Sequence, residues 1–179
     1  RITDPAVTLH VALEDRLLAD DWGSDPGSAG SPISDAAELE GAMDVDSVGY
    51  EAIAFWPGDH TLDPAVLGAA ARSGLRIEAC GPEQVSLSLV PSPEAEGPLL
   101  QLGAGSDGLG RPSAVLTGLT LQSEADSALI GITGGDGVVL KEMALQGGAW
   151  ASLIEVSGSA DVQISNATLT GGRHMVSAT

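Results

Sequence analysis

The apolar positions of this chain fall into short alternating groups, each closed within a few residues by Gly, Pro or Ser, as in Leu75-Arg76-Ile77, Val85-Ser86-Leu87-Ser88-Leu89 and Leu100-Gln101-Leu102. Side chains alternate across a strand, so apolar residues two apart share a face, and each group predicts one short strand with a single apolar side. Ala6-Val7-Thr8-Leu9-His10-Val11-Ala12-Leu13 predicts another alternating strand. Ala52-Ile53-Ala54-Phe55-Trp56 predicts a compact apolar one closed by the turn Pro57-Gly58. Between them, residues 20–32 mix Asp, Gly, Ser and Pro too densely to bury apolar surface, and predict a linker or long loop.

Two stretches carry helical spacing instead. From Ser34, Asp35 is placed to cap with Glu38, while Ala36, Leu39 and Met43 recur at intervals of three and four. This predicts a short amphipathic helix ending near Asp44. A second helical turn is predicted from Asp63 as cap and Pro64 at the first position. Val66, Leu67, Ala70 and Ala71 form its apolar side, and Gly74 is its stop.

A repeat organises the remainder. Ala114-Val115-Leu116-Thr117-Gly118-Leu119-Thr120-Leu121-Gln122 aligns without gaps on Val138 to Gln146 and again on Val162 to Thr170, at an offset of 24 residues (140 − 116 and 164 − 140). Leu129-Ile130-Gly131-Ile132 matches Leu153-Ile154-Glu155-Val156 at the same offset, so one repeat holds three short strands. That describes one coil of a parallel β-helix, a solenoid in which each coil stacks on the last. The expected inward columns are Ala114/Val138/Val162, Leu116/Leu140/Ile164, Leu119/Met143/Ala167, Leu121/Leu145/Leu169, Ile130/Ile154 and Ile132/Val156.

Together with Gly74-Leu75-Arg76-Ile77-Glu78-Ala79-Cys80-Gly81, the helix at Ser34 to Met43 and the strand at Ala52 to Gly58, these coils give the chain a resemblance to the pectate-lyase-like superfamily of right-handed parallel β-helix proteins. The resemblance runs from about residue 33 to 179. It implies an all-β, right-handed, single-stranded parallel β-helix whose N-terminal end is plugged by the short helix, with Leu39 and Met43 sealing the first coil. Residues 1–32 are then an N-terminal strand and linker, and residues 33–179 the β-helix. No comparable cap follows Thr170, so the solenoid is expected to be truncated at its C-terminal end, which is met by another protein or by further coils of the same polypeptide.

Composition narrows the function. Asp and Glu total 25 against 7 Lys plus Arg, a formal net charge of -18. The lysine is Lys141 alone, and the arginines form no basic run, which excludes nucleic acid and anionic membranes as partners. No stretch is long and apolar enough to span a bilayer, and a chain opening at Arg1 without an initiator Met fits a mature or excised fragment. Cys80 stands alone, so the fold holds without an intrachain disulfide, and 24 glycines with 3% aromatic residues suit an aliphatic core with tight turns.

Enzymes of the resembling superfamily carry clustered acids, or a basic residue with calcium-binding acids, on outward positions of neighbouring coils. The outward columns here are Gly118/Glu142/Asn166, Thr117/Lys141/Ser165 and Gln122/Gln146/Thr170, and none sets two carboxylates side by side. His10, His60 and His174 lack ligand spacing, Asp136 and Asp161 flank turns, and Lys141 beside Glu142 reads as a solvated pair. Cys80 reads as a small buried corner residue; Trp22 and Trp150 remain as surface aromatics, whereas Trp56 reads as core. No catalytic residue, metal or cofactor is assigned. The expectation is a non-catalytic module serving as a protein-binding or scaffold surface, its candidate outward face being Gln122, Lys141, Glu142, Gln146 and Asn166, with carbohydrate a further possible ligand class. The alternative is the N-terminal part of a carbohydrate-active enzyme whose catalytic coils lie beyond Thr179.

Overall fold

A chain of such short strands buries its apolar faces only if the strands stack on one another at each turn of a coil. A computed structural model describes residues 8–11, 52–64, 75–80, 84–91, 97–103, 114–134, 137–159 and 161–178. In chain order the strands are β1 (Thr8–Val11), β2 (Ala52–Phe55), β3 (Gly58–Leu62), β4 (Leu75–Ala79), β5 (Val85–Leu89), β6 (Leu100–Gly103), β7 (Ala114–Thr117) and β8 (Leu119–Gln122). They continue as β9 (Ile130–Thr133), β10 (Val138–Lys141), β11 (Ala144–Gly147), β12 (Ser152–Ser157), β13 (Gln163–Ser165), β14 (Thr168–Gly171) and β15 (His174–Ala178).

These strands form three parallel sheets, ordered β1-β2-β4-β7-β10-β13, β14-β11-β8-β5-β3 and β15-β12-β9-β6. The chain visits the three sheets in turn, giving an all-β parallel solenoid of about four turns. Register places like aliphatic residues over one another. Ile53, Ile77, Leu116, Leu140 and Ile164 form one file in the first sheet, and Leu87, Leu121, Leu145 and Leu169 one in the second. In the third sheet the files are Leu100, Ile130, Ile154 and Val176, and Leu102, Ile132, Val156 and Ala178. The repeat thus stacks as its sequence predicts, and the files extend to coils whose spacing departs from it: Ile77 meets Leu116, and Leu87 meets Leu121.

Corners between the first and second sheets take one left-handed residue per coil: Gly118 at φ 74, Glu142 at φ 55 and Asn166 at φ 51. One such residue turns the chain while the coil-to-coil hydrogen bonds continue past it. The Gly118 amide donates to the Lys141 carbonyl at 3.1 Å, and the Glu142 amide to the Ser165 carbonyl at 3.0 Å. Asp161 also has a positive φ, of 54, consistent with a turn-forming role. At a third corner the backbones of neighbouring coils come so close that a Cβ on Gly171 would lie 2.5 Å from the Gly147 carbonyl oxygen.

The capping helix expected from Ser34 to Asp44, with Leu39 and Met43, lies outside the described residues. Of the second expected helix, Pro64 alone is described, in helical conformation. After the Pro57-Gly58 turn, where the sequence pattern assigns no element before Asp63, Gly58–Leu62 forms β3 in register with β5. Gly58, at φ 137, starts the new strand directly, and its alternating inward side chains include His60 and Leu62.

Leu140 is fully buried between Leu116 and Ile164. Leu140→Ala is expected to lower the unfolding free energy in denaturant titration by about 2–5 kcal/mol through lost transfer energy and a cavity. At the corner, Glu142→Val is expected to destabilise by about 1 kcal/mol, since β-branching adds to the crowding at Cβ that Glu142 already bears in the left-handed conformation, whereas Glu142→Gly is expected to be neutral or stabilising. Thermal melts of the two variants check that Val lowers the midpoint and Gly does not.

Candidate binding surface

Strand alternation that fills the interior also writes polar files on the outside. On the second sheet the outward file is Thr61, Ser88, Gln122, Gln146 and Thr170. On the first it is Ala54, Glu78, Thr117, Lys141 and Ser165, and on the third Gln101, Gly131, Glu155 and Ser177. No two carboxylates are neighbours along any of these files, so paired-acid hydrolysis has no site built from them.

The five candidate residues do not share one face. Gln122 and Gln146 are neighbours on the second sheet, Glu142 and Asn166 stack at the left-handed corner, and Lys141 lies on the first sheet. Lys141 Nζ lies 3.4 Å from Glu142 Oε1, with both side chains about half exposed, 52% and 53%. Exposure on both sides gives this pair solvent screening and a small energetic weight.

Gln122 and Gln146 are brought into a groove of about 530 Å³ that crosses three coils. Among the described residues, Ser88, Gln122, Ser123 and Gln146 supply its polar side chains, Leu89, Val90 and Pro91 an aliphatic wall, and Glu124 its one charged side chain. Gln122 Nε2 donates to Ser88 Oγ at 2.6 Å, which fixes the amide along the solenoid axis. The groove was not legible in the repeat, because its aliphatic wall comes from a coil outside the constant spacing.

His60 is buried in line with Leu87, a position the sequence left unassigned beyond noting the absence of a metal partner. Its Nε2 donates to the Trp56 carbonyl at 2.7 Å, and its ring packs against Phe55 at 5.5 Å and 58°. Because a carbonyl oxygen only accepts, this bond requires a proton on Nε2. The signal available was parity: His60 and Leu62 stand two apart and point the same way.

Cys80 is half-buried rather than buried, and its amide donates to the Phe55 carbonyl at 2.7 Å as the coil turns. Trp56 is half-buried, and Trp150 is 71% exposed, on the turn closed by the Ala151 amide and the Gly148 carbonyl. Among the described residues no three His, Cys, Asp or Glu side chains gather in a way that could hold a metal ion, and no helix is long and apolar enough to cross a membrane. Compared with known proteins, the chain matches no family model, curated protein or solved structure.

Lys141→Ala is expected to change stability by less than about 0.5 kcal/mol, as befits a screened surface pair. Gln122→Ala is expected to cost about 1 kcal/mol by removing the Ser88 hydrogen bond. Chemical denaturation of the two variants side by side tests the ranking.

Proposed function

We propose that this chain is a non-catalytic module of a right-handed, pectate-lyase-like β-helix, working as a protein-binding or scaffold surface. Right-handed coiling is the expected hand for parallel strands joined by crossovers. The observation that carries the reading is the make-up of the outward files among the described residues, in which no two carboxylates are neighbours. In the last described coil Ile164, Met175 and Val176 are exposed by 38%, 50% and 46%.

The strands of that coil, β13, β14 and β15, contain no Asp, Glu, Lys, Arg or Pro. Charges and prolines are what proteins place on a strand edge to keep it from pairing, so an edge without them is suited to pairing. Three such edges fit further parallel coils of the same polypeptide or another protein that offers strands. The lateral files support the non-catalytic part of the reading, because they alternate hydroxyls, amides and isolated charges.

Light scattering across a concentration series is expected to show self-association of the chain through this uncovered end. Joint substitution Ile164→Lys and Val176→Lys is expected to abolish it with little loss of thermal stability, because both side chains are already partly solvated. A monodisperse monomer at every concentration would remove the docking role. Turnover of an acidic polysaccharide in the presence of calcium, lost on Lys141→Ala, would overturn the non-catalytic reading.

A further inference from the structure

The corner column Gly118/Glu142/Asn166 ends on the only asparagine of the chain. Asn166 opens the triplet Asn166-Ala167-Thr168, in which a hydroxyl follows two residues later with no proline between. That is the acceptor pattern for N-linked sugars. A left-handed turn is itself a place that favours asparagine. Backbone conformation alone does not demand one here, since Gly118 and Glu142 fill the same corner in the two preceding coils.

We infer that Asn166 is an N-glycosylation site. A transferring enzyme must reach both the amide and the hydroxyl, and the coil presents them together. Ala167 packs inward against the core, while Asn166 and Thr168 on either side of it are exposed. The Thr168 amide donates to the Met143 carbonyl at 2.8 Å, which holds the backbone in place beneath the two outward side chains. The corner also stays open with coils on both sides of it, since Glu142, flanked by Gly118 and Asn166, keeps its side chain 53% exposed. The site therefore does not depend on what lies beyond this coil. With one asparagine in the column, no second glycan competes for the space about 4.8 Å away in the next coil.

The reaction is a group transfer from an oligosaccharide linked through phosphate to a polyisoprenyl lipid. The Asn166 amide nitrogen forms a bond to the anomeric carbon of the sugar, and the bond from that carbon to the phosphate oxygen breaks. The lipid phosphate leaves with the electron pair, and the amide nitrogen gives up one proton to a base of the transferring enzyme. No electron is gained or lost. Such an acceptor belongs to the surface of a secreted protein, so the assignment puts this coil outside the cytosol. It does not rest on docking at the end of the solenoid, because the glycan would project sideways from the corner.

Mass spectrometry of the protein isolated from its native source tests the assignment on the tryptic peptide 142–173, which follows Lys141 and ends at Arg173. The peptide is expected to carry a sugar mass that fragmentation localises to Asn166. In the chain secreted from a glycosylating host, Asn166→Gln and Thr168→Ala are each expected to abolish the modification, and Thr168→Ser to retain it. Both positions are exposed, and Glu142 already places a side chain of that length at the corner, so the variants are expected to keep the wild-type circular dichroism spectrum. A native peptide with no sugar, a sugar attached through a hydroxyl instead, or modification that persists in Thr168→Ala would each overturn the proposal.

Discussion

Backbone hydrogen bonding between successive coils constrains everything else in this molecule. A strand of four residues has too little surface to stand alone, and its amides and carbonyls find partners only in the coils before and after it. The bonding pattern therefore fixes which residue lies over which. Once Leu116 is paired with Leu140, the rest of the coil must follow in register, and the corner between the first and second sheets turns within one or two residues. Left-handed Gly118, Glu142 and Asn166 are the local expression of that demand.

The same constraint explains why the outside is so regular. An inward file of aliphatic residues forces an outward file at the alternate positions, and the outward residues inherit the coil spacing whether or not they share a task. Gln122 and Gln146 are close because Leu121 and Leu145 are stacked. Lys141 and Glu142 are separated from them by the corner, although the linear sequence sets all four within a few positions of equivalent coil sites.

Residues 114–170 disclose the fold because three consecutive coils keep a constant length there, so Leu116, Leu140 and Ile164 stand at equal intervals. Ile53 and Ile77 keep the same interval, but the segment between them contains Pro57, a buried histidine and a helix signal, and β3 is hidden by its turn residues. Between β4 and β7, and between β5 and β8, longer connections break the period and no alignment at fixed offset finds the pairing. The groove is obscured for the same reason: Gln122 and Gln146 belong to the regular coils, while Leu89, Val90 and Pro91 come from an irregular one. Exposure of Trp150 was readable from its place beside a glycine pair.

Unequal connections between equally spaced strands have an architectural consequence. Ile77 and Leu116 are as well stacked as Leu116 and Leu140, although a longer stretch of chain separates them. Core geometry is therefore indifferent to how much polypeptide leaves at a corner, since the cost of closing a longer loop grows only slowly with its length. Corners can gain or lose segments while the interior keeps its alignment, so new surface can be grafted onto this scaffold without redesigning what holds it together.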